Sequence, residues 1–305
     1  MAIRSGTRRL VALAGGVVLL YVALFGAMML HRRCSQPVQV VHKHTVEREW
    51  VRFVAPRHNA SARVLVMQTS GHGKYEALLK TTRIANERWA AKHGYDYLSV
   101  TVVYHGGREW LSTFNKAFMV AEALNSSRYD LVFYMDADAL VRTLDWDVRS
   151  VIPEGSKPTL LFAHPGSNEG PWDINAGVML WDLRHARSAA VVADWVDRCT
   201  RILDAAGEGQ PWFDDQALLH HTLRDLLGQM GFAGVNDGSV EGRRAAGALG
   251  IVASLPNPGG AVVHLLRSSA TDWSGDSVAG RVEAARKIVA GLKESSSSSS
   301  LLLSA

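Results

Sequence analysis

Cysteine is nearly missing from this 305-residue chain, which holds only Cys34 and Cys199, so a disulfide framework cannot be what holds it together. Cys199 reads as a small buried hydrophobe. Cys34, beside an apolar start, is a candidate for acylation or for a link between two chains. A charge excess of one sign is also lacking. Lys and Arg number 33 against 29 Asp and Glu, and the small surplus is spread along the chain. Nucleic-acid binding therefore has no support, because it needs basic charge gathered into an arm or a stripe. Low-complexity sequence is confined to the run Ser295 to Ser300, which predicts a disordered tail over 294–305. Long uncharged apolar stretches are scarce too, with one exception at the start.

That exception is Leu10 to Leu30, LVALAGGVVLLYVALFGAMML. It has about the twenty residues that a helix needs to cross a hydrocarbon layer roughly 30 Å thick. His31, Arg32 and Arg33 follow it in place of a small-residue cleavage site, so it reads as an uncleaved signal anchor. Arg4, Arg8 and Arg9 with the terminal amine outweigh Arg32 and Arg33, which predicts a cytosolic amino terminus and a lumenal remainder. Residues 1–33 are thus tail and anchor, and residues 34–60, broken by Pro37 and Pro56, are a stem. The roughly 230 residues of 61–293 suffice for one large α/β domain. Asn59-Ala60-Ser61 and Asn125-Ser126-Ser127 fit the N-glycosylation pattern, which matters only if this part is lumenal.

Within that domain, Arg63 to Met67 is a short apolar run ending at the turn-prone Thr69-Ser70-Gly71, as a buried parallel strand requires. Leu78, Thr82, Ala85 and Trp89 form one helical stripe, closed by His93-Gly94 before a strand over Tyr95 to Val102. Phe114, Ala117, Phe118, Ala121 and Leu124 repeat the helical spacing. A continuous apolar strand, Leu131 to Met135, follows. Further strands are predicted at 159–163, 174–181, 251–254 and 262–266, and helices at 186–202, 214–227 and 278–292. Gly228 to Gly250, rich in glycine and arginine, reads as a mobile loop. The alternation predicts a three-layer fold around a mostly parallel sheet, with ligands beyond the carboxyl ends of the strands.

Asp136-Ala137-Asp138 comes straight after the Leu131 to Met135 strand. Two carboxylates one residue apart at a strand end can turn toward one point and invite a hard divalent cation. Such an ion would bridge them to a diphosphate, which they would otherwise repel, and would stabilise charge on it as it leaves. The triplet alone is weak evidence, since many turns carry one.

Its surroundings add to it. Tyr129 to Met135 before the triplet and Ala139-Leu140-Val141 after it resemble the signature of DxD-containing glycosyltransferases of the A fold. Asn86 to Asp96 is similar to the helix-to-strand segment of the galactosyl- and xylosyltransferases of galactomannan and xyloglucan synthesis, and Asn115-Lys116 to the lysine-bearing helix before their acidic triplet. Asp173 to Leu180 resembles the strand with an asparagine and a glycine at the sugar pocket, and Asp214-Asp215-Gln216 the acidic helix start beside it. The resemblance spans roughly Arg63 to Arg267 and departs from the family after His264, where Leu265-Leu266 stands without the fuller glycine- or cysteine-containing tail.

The resemblance implies Asp136, Asp138 and His264 as metal ligands. It also implies Lys116 and Gly177 at the donor, and Asn175, Asp215 and Gln216 near the reacting sugar. The imidazole would favour Mn²⁺ over Mg²⁺. Each residue has a plainer reading. His264 suits a core histidine, Asn175 and Gly177 a β-bulge, Asp214 and Asp215 a helix cap and first-turn acid, and Lys116 and Arg83 solvated charges. Trp172, Trp181 and Trp212 can stack on a sugar or fill the core.

The resemblance further implies transfer of a hexosyl or pentosyl unit from a nucleoside-diphosphate donor to a glycan or glycoprotein acceptor, with retention of anomeric configuration. With the anchor, it implies a type II protein of the Golgi or another secretory-pathway membrane. Two alternatives compete. A haloacid-dehalogenase-like phosphatase also carries an acid-x-acid pair after a strand, the first acid being its nucleophile. An inactive, membrane-anchored glycan-binding protein would keep the fold without turnover.

Overall fold

The computed structural model describes residues 48–53, 62–71, 74–102, 109–152, 158–167, 169–205, 214–265 and 278–301. The anchor Leu10 to Leu30, Cys34, the sequon at Asn59 and Trp212 lie outside the described residues. Among the described residues, no helix is long and apolar enough to cross a membrane.

In chain order the elements are β1 (Arg48–Phe53), β2 (Val64–Ser70), α1 (Lys74–His93), β3 (Asp96–Val102), α2 (Asn115–Asn125), β4 (Leu131–Asp136), β5 (Ala139–Val141), β6 (Leu161–Pro165), β7 (Ile174–Asp182), α3 (Ser188–Asp204), α4 (Asp215–Gln229), α5 (Val240–Ala248), β8 (Val252–Ser254), β9 (Val262–His264) and α6 (Val278–Leu301). Seven strands form one sheet in the order β1-β3-β2-β4-β7-β6-β8. β3, β2, β4, β6 and β8 share a direction, whereas β1 and β7 oppose it. The sheet is thus mixed, with a mostly parallel set of strands.

Every residue of β2 and the first five of β4 are buried, because helices cover both faces of these central strands. On one face Trp89 of α1 packs edge-on against Phe133 and stacks on Trp146 with centroids 5.8 Å apart. Its indole N–H donates to the Trp146 carbonyl at 2.6 Å. On the other face α2, α3 and α4 pack through Phe118, Trp195 and Leu219, and Trp195 stacks on Trp181 at 5.7 Å. α6 lies against α1 through Leu78, Val282 and Ala285, forming an additional helical layer.

The topology differs from the sequence reading in four places. β7 runs antiparallel to β4 and β6, because β6 returns to it through a short hairpin loop with no crossover helix. Arg48–Phe53, inside the supposed stem, pairs antiparallel with β3, a six-residue edge strand too brief to show a periodicity. The stretch read as a loop from Gly228 to Gly250 contains α5, whose first turn is capped by the Ser239 hydroxyl accepting from Gly242 N at 3.0 Å. Helix α6 continues to Leu301, through the serine run expected to be disordered. Once its first turns are packed on α1, each added residue extends an existing helix and needs no new nucleus.

A two-stranded sheet, β5 paired antiparallel with β9, completes the framework. Its register sets Ala139 opposite His264 and so brings the end of the domain beside the Asp136-Ala137-Asp138 turn.

Candidate active site

The acidic turn is held from beneath by buried polar side chains. Gln68 of β2 donates to the carbonyls of Asp136 and Ala139, each at 3.1 Å. The Thr82 hydroxyl donates to the Ala137 carbonyl at 2.8 Å, and Asn86 donates to Ala139 O at 3.0 Å while accepting from Val141 N at 2.8 Å. The Tyr97 hydroxyl donates to Gln68 Oε1 at 2.6 Å and fixes that amide. Four backbone groups of a tight bend, which lack a regular ladder partner, are satisfied in this way. The bend is therefore rigid, and both aspartates leave it in set directions.

Asp136 Oδ1 accepts from the Tyr134 hydroxyl at 2.8 Å and faces Lys116 Nζ at 3.0 Å. Lys116 also forms an ion pair with Asp215 Oδ2 at 2.8 Å. Burial works against the Lys116 charge, but Asp136 and Asp215 outweigh it and hold its pKa above the ordinary lysine value. Lys116 is buried, in contrast to its reading as a solvated charge.

Asp138 Oδ1 lies 3.1 Å from His264 Nε2, and Asp138 Oδ2 accepts from Arg281 Nη1 at 2.5 Å. Leu265 N donates to the Asp138 carbonyl at 2.9 Å, pinning the strand that carries the histidine. Burial by itself would raise the Asp138 pKa, yet His264 and Arg281 prevail and keep this carboxyl below its usual range. Ligand atoms of Asp136, Asp138 and His264 all lie within 4.8 Å of one another.

Gly177 makes room for that cluster. A methyl group there would stand 2.1 Å from His264 Cε1 and 2.8 Å from Asp136 Oδ2. The β6 to β7 register jumps between Ala163 and His164, so that residues 176–178 bulge at the sheet's end beside the aspartates. Asn175 Oδ1 accepts from Gly177 N at 2.9 Å, and Gln216 Oε1 accepts from Ala176 N at 2.9 Å. Both polar residues thus shape the bulge, as the plainer reading of Asn175 anticipated.

No family model matches the chain, and no curated protein does. Among solved structures, it is similar to a glycosyltransferase involved in the glycosylation of the major capsid of PBCV-1, at 13% identity over 74% of this chain and 99% of that one, with a TM-score of 0.46. It is similar to the apo form of the glycosyltransferase GlyE of Streptococcus pneumoniae TIGR4, at 14% identity over 77% of this chain and 64% of that one, with a TM-score of 0.42. A third is the galactosyltransferase LgtC in complex with donor and acceptor sugar analogs, at 15% identity over 74% of this chain and 95% of that one, with a TM-score of 0.33. All three are glycosyltransferases. At these scores the likeness decides nothing about chemistry, which rests on the side chains.

The remaining candidates divide. Asp214 is the N-cap of α4, accepting from Ala217 N at 2.7 Å, while the next residue, Asp215, turns inward to Lys116. Arg83 pairs with Glu87 one turn along its own helix at 3.3 Å and stays out of the cluster. Trp181 is a core side chain. Trp172 is buried too, its N–H donating to the Val235 carbonyl at 2.6 Å with Arg224 over its ring. Cys199 is buried, and its thiol is pushed well above the ordinary value by burial and then by Asp215.

Sequence reasoning missed Gln68, Asn86, His164 and Arg281. Gln68 inside an apolar strand, and Thr82 within the apolar stripe of α1, were the available signals, since polar residues on buried faces need partners. His164 is half-buried at the β6 bulge opposite Asn175, with a pKa lowered by burial and by the nearby His264. Arg281 carried no local signal.

Proposed function

We propose that this chain is a metal-dependent glycosyltransferase that moves a sugar from a nucleoside-diphosphate donor to a glycan or glycoprotein acceptor. The observation that supports it is the convergence of Asp136, Asp138 and His264 at the end of the central sheet. Two carboxylates and an imidazole, with ligand atoms within 4.8 Å of one another and a glycine clearing the space beside them, suit one divalent cation. The nitrogen ligand favours Mn²⁺, with Mg²⁺ as the alternative. When bound, such an ion supplies Lewis-acid stabilisation of the departing diphosphate.

The chain's own groups have separable roles in this reading. Tyr134 and Lys116 hold Asp136 in one orientation, and Lys116 adds positive charge near the donor phosphates. Gln216 and Asn175 hold the 176–178 bulge at the wall of the sugar pocket. The resemblance implies retention of configuration, and with Asp215 paired to Lys116 a retaining reaction would be one in which the leaving phosphate guides attack from the same face. The segment 10–30 would anchor the enzyme in a secretory-pathway membrane with this domain in the lumen.

A panel of sugar nucleotides, with p-nitrophenyl phosphate as a phosphatase substrate, tests the reading with and without Mn²⁺. Donor hydrolysis or transfer that depends on Mn²⁺ is expected, lost in Asp136→Ala and Asp138→Ala with the circular dichroism unchanged. Wild-type rates in either variant, or turnover of p-nitrophenyl phosphate alone, would overturn it.

A further inference from the structure

Arg281 is 5% exposed, on a helix that begins more than a hundred residues after the acidic turn, and it reaches Asp138 Oδ2 at 2.5 Å. Its guanidinium lies over the Tyr75 ring, 5.3 Å from the centroid, and Nη2 donates to the Tyr75 hydroxyl at 3.4 Å. Its Nε is buried and has no hydrogen-bond partner among the described residues. A buried guanidinium with an unused donor is under-satisfied and gains from a further acceptor.

The local charges give this contact a purpose. Asp136, Asp138 and Asp215 carry three negative charges, and Lys116 and Arg281 carry two positive ones, which leaves these five side chains with one net negative charge. A divalent cation would turn that balance positive by one, and a donor diphosphate brings about two negative charges. Arg281 is then surplus at Asp138 and wanted at the phosphate, to which a planar fork of donors is well matched.

We propose that Arg281 is a placeholder cation: it occupies Asp138 Oδ2 before the metal arrives, then yields that oxygen and turns its guanidinium to the donor diphosphate. This rests on the metal-dependent reading above and adds to it the order of events. Arg281 disfavours metal binding by itself and favours metal and nucleotide together. A residue that merely orients Asp138 would favour both alike.

The test is Mn²⁺ titration of the full chain without nucleotide, followed by the free-Mn²⁺ electron paramagnetic resonance signal, then titration with a nucleoside diphosphate at saturating Mn²⁺. Arg281→Gln is expected to bind Mn²⁺ alone roughly tenfold tighter, a fraction of what a unit charge a few ångströms away exerts at an effective dielectric of about 20. The same variant is expected to bind the nucleoside diphosphate roughly tenfold more weakly, having lost a charge-assisted contact. Arg281→Lys keeps the charge but not the fork, so its Mn²⁺ affinity should stay within about twofold of wild type while its diphosphate affinity falls.

Weaker Mn²⁺ binding by Arg281→Gln, or unchanged diphosphate affinity in either variant, overturns the proposal. If Arg281→Gln loses the wild-type circular dichroism, Arg281→Lys decides on the diphosphate arm. Mn²⁺ uptake that is absent from the wild type, or unaffected by Asp136→Ala, defeats the metal reading itself, a result distinct from failure of the placeholder role alone.

Discussion

Gly177 and His264 meet so closely that a Cβ on the first would lie 2.1 Å from Cε1 of the second. Real side chains do not approach to that distance, so Gly177→Ala must displace the imidazole, and the Asp136 carboxylate 2.8 Å away with it. Affinity for Mn²⁺ is expected to fall roughly ten- to a hundredfold, as when the groups orienting a ligand are lost. Overpacking should cost about 1–3 kcal/mol of stability. Mn²⁺ titration alongside urea unfolding measures both, and unaltered metal affinity would show that His264 is not part of the site.

Lys116 sits between Asp136 and Asp215 with almost no exposure. Lys116→Met leaves two carboxylates facing each other with no cation, and breaking a buried charge cluster on one side costs about 3–5 kcal/mol. Adding Asp215→Asn should recover part of that loss, because it removes one stranded charge. A double-mutant cycle by urea unfolding reads the coupling, and strict additivity would refute it.

The cage beneath the acidic turn predicts a stability loss at a residue well removed from any reacting group. Asn86→Ala strands the Val141 N–H and removes one of two donors to the Ala139 carbonyl, for a cost of about 1–3 kcal/mol. Activity should fall with it, since the turn orients both aspartates. A denaturation midpoint equal to wild type would show the cage to be dispensable.

Asp147 gives a pH dependence with a definite sign. Burial would raise its pKa, but hydrogen bonds from Arg149 and from the Tyr95 hydroxyl prevail and bring it to about 2. The unfolded value is about 4. The stabilisation is therefore fully present above about pH 4 and is lost as pH falls through about 2. Urea unfolding stepped across that window should show a shallower acid slope in Asp147→Asn than in wild type.

Much of the fold was legible because buried strands advertise themselves locally. Leu131 to Met135 is apolar throughout since both faces of β4 are covered, and the acids that follow mark where the strand leaves the core. Edge strand β1 and short helix α5 were not legible, the first being six residues long and the second masked by its glycines. β7 resembles any buried strand in composition, so its reversed direction could not be read from it.

The residues of the site show the same division. The sequence by itself determined the pairing of Asp136 with Asp138 at a strand end, because one intervening residue and a bend suffice for it. Only the tertiary structure decided which groups meet them: His264 lies 126 residues beyond Asp138, Arg281 lies 143 beyond it, and Lys116 comes from the preceding helix. Such contacts depend on β5 pairing with β9 and on α6 packing against α1, and no local pattern encodes the register of strands so far apart.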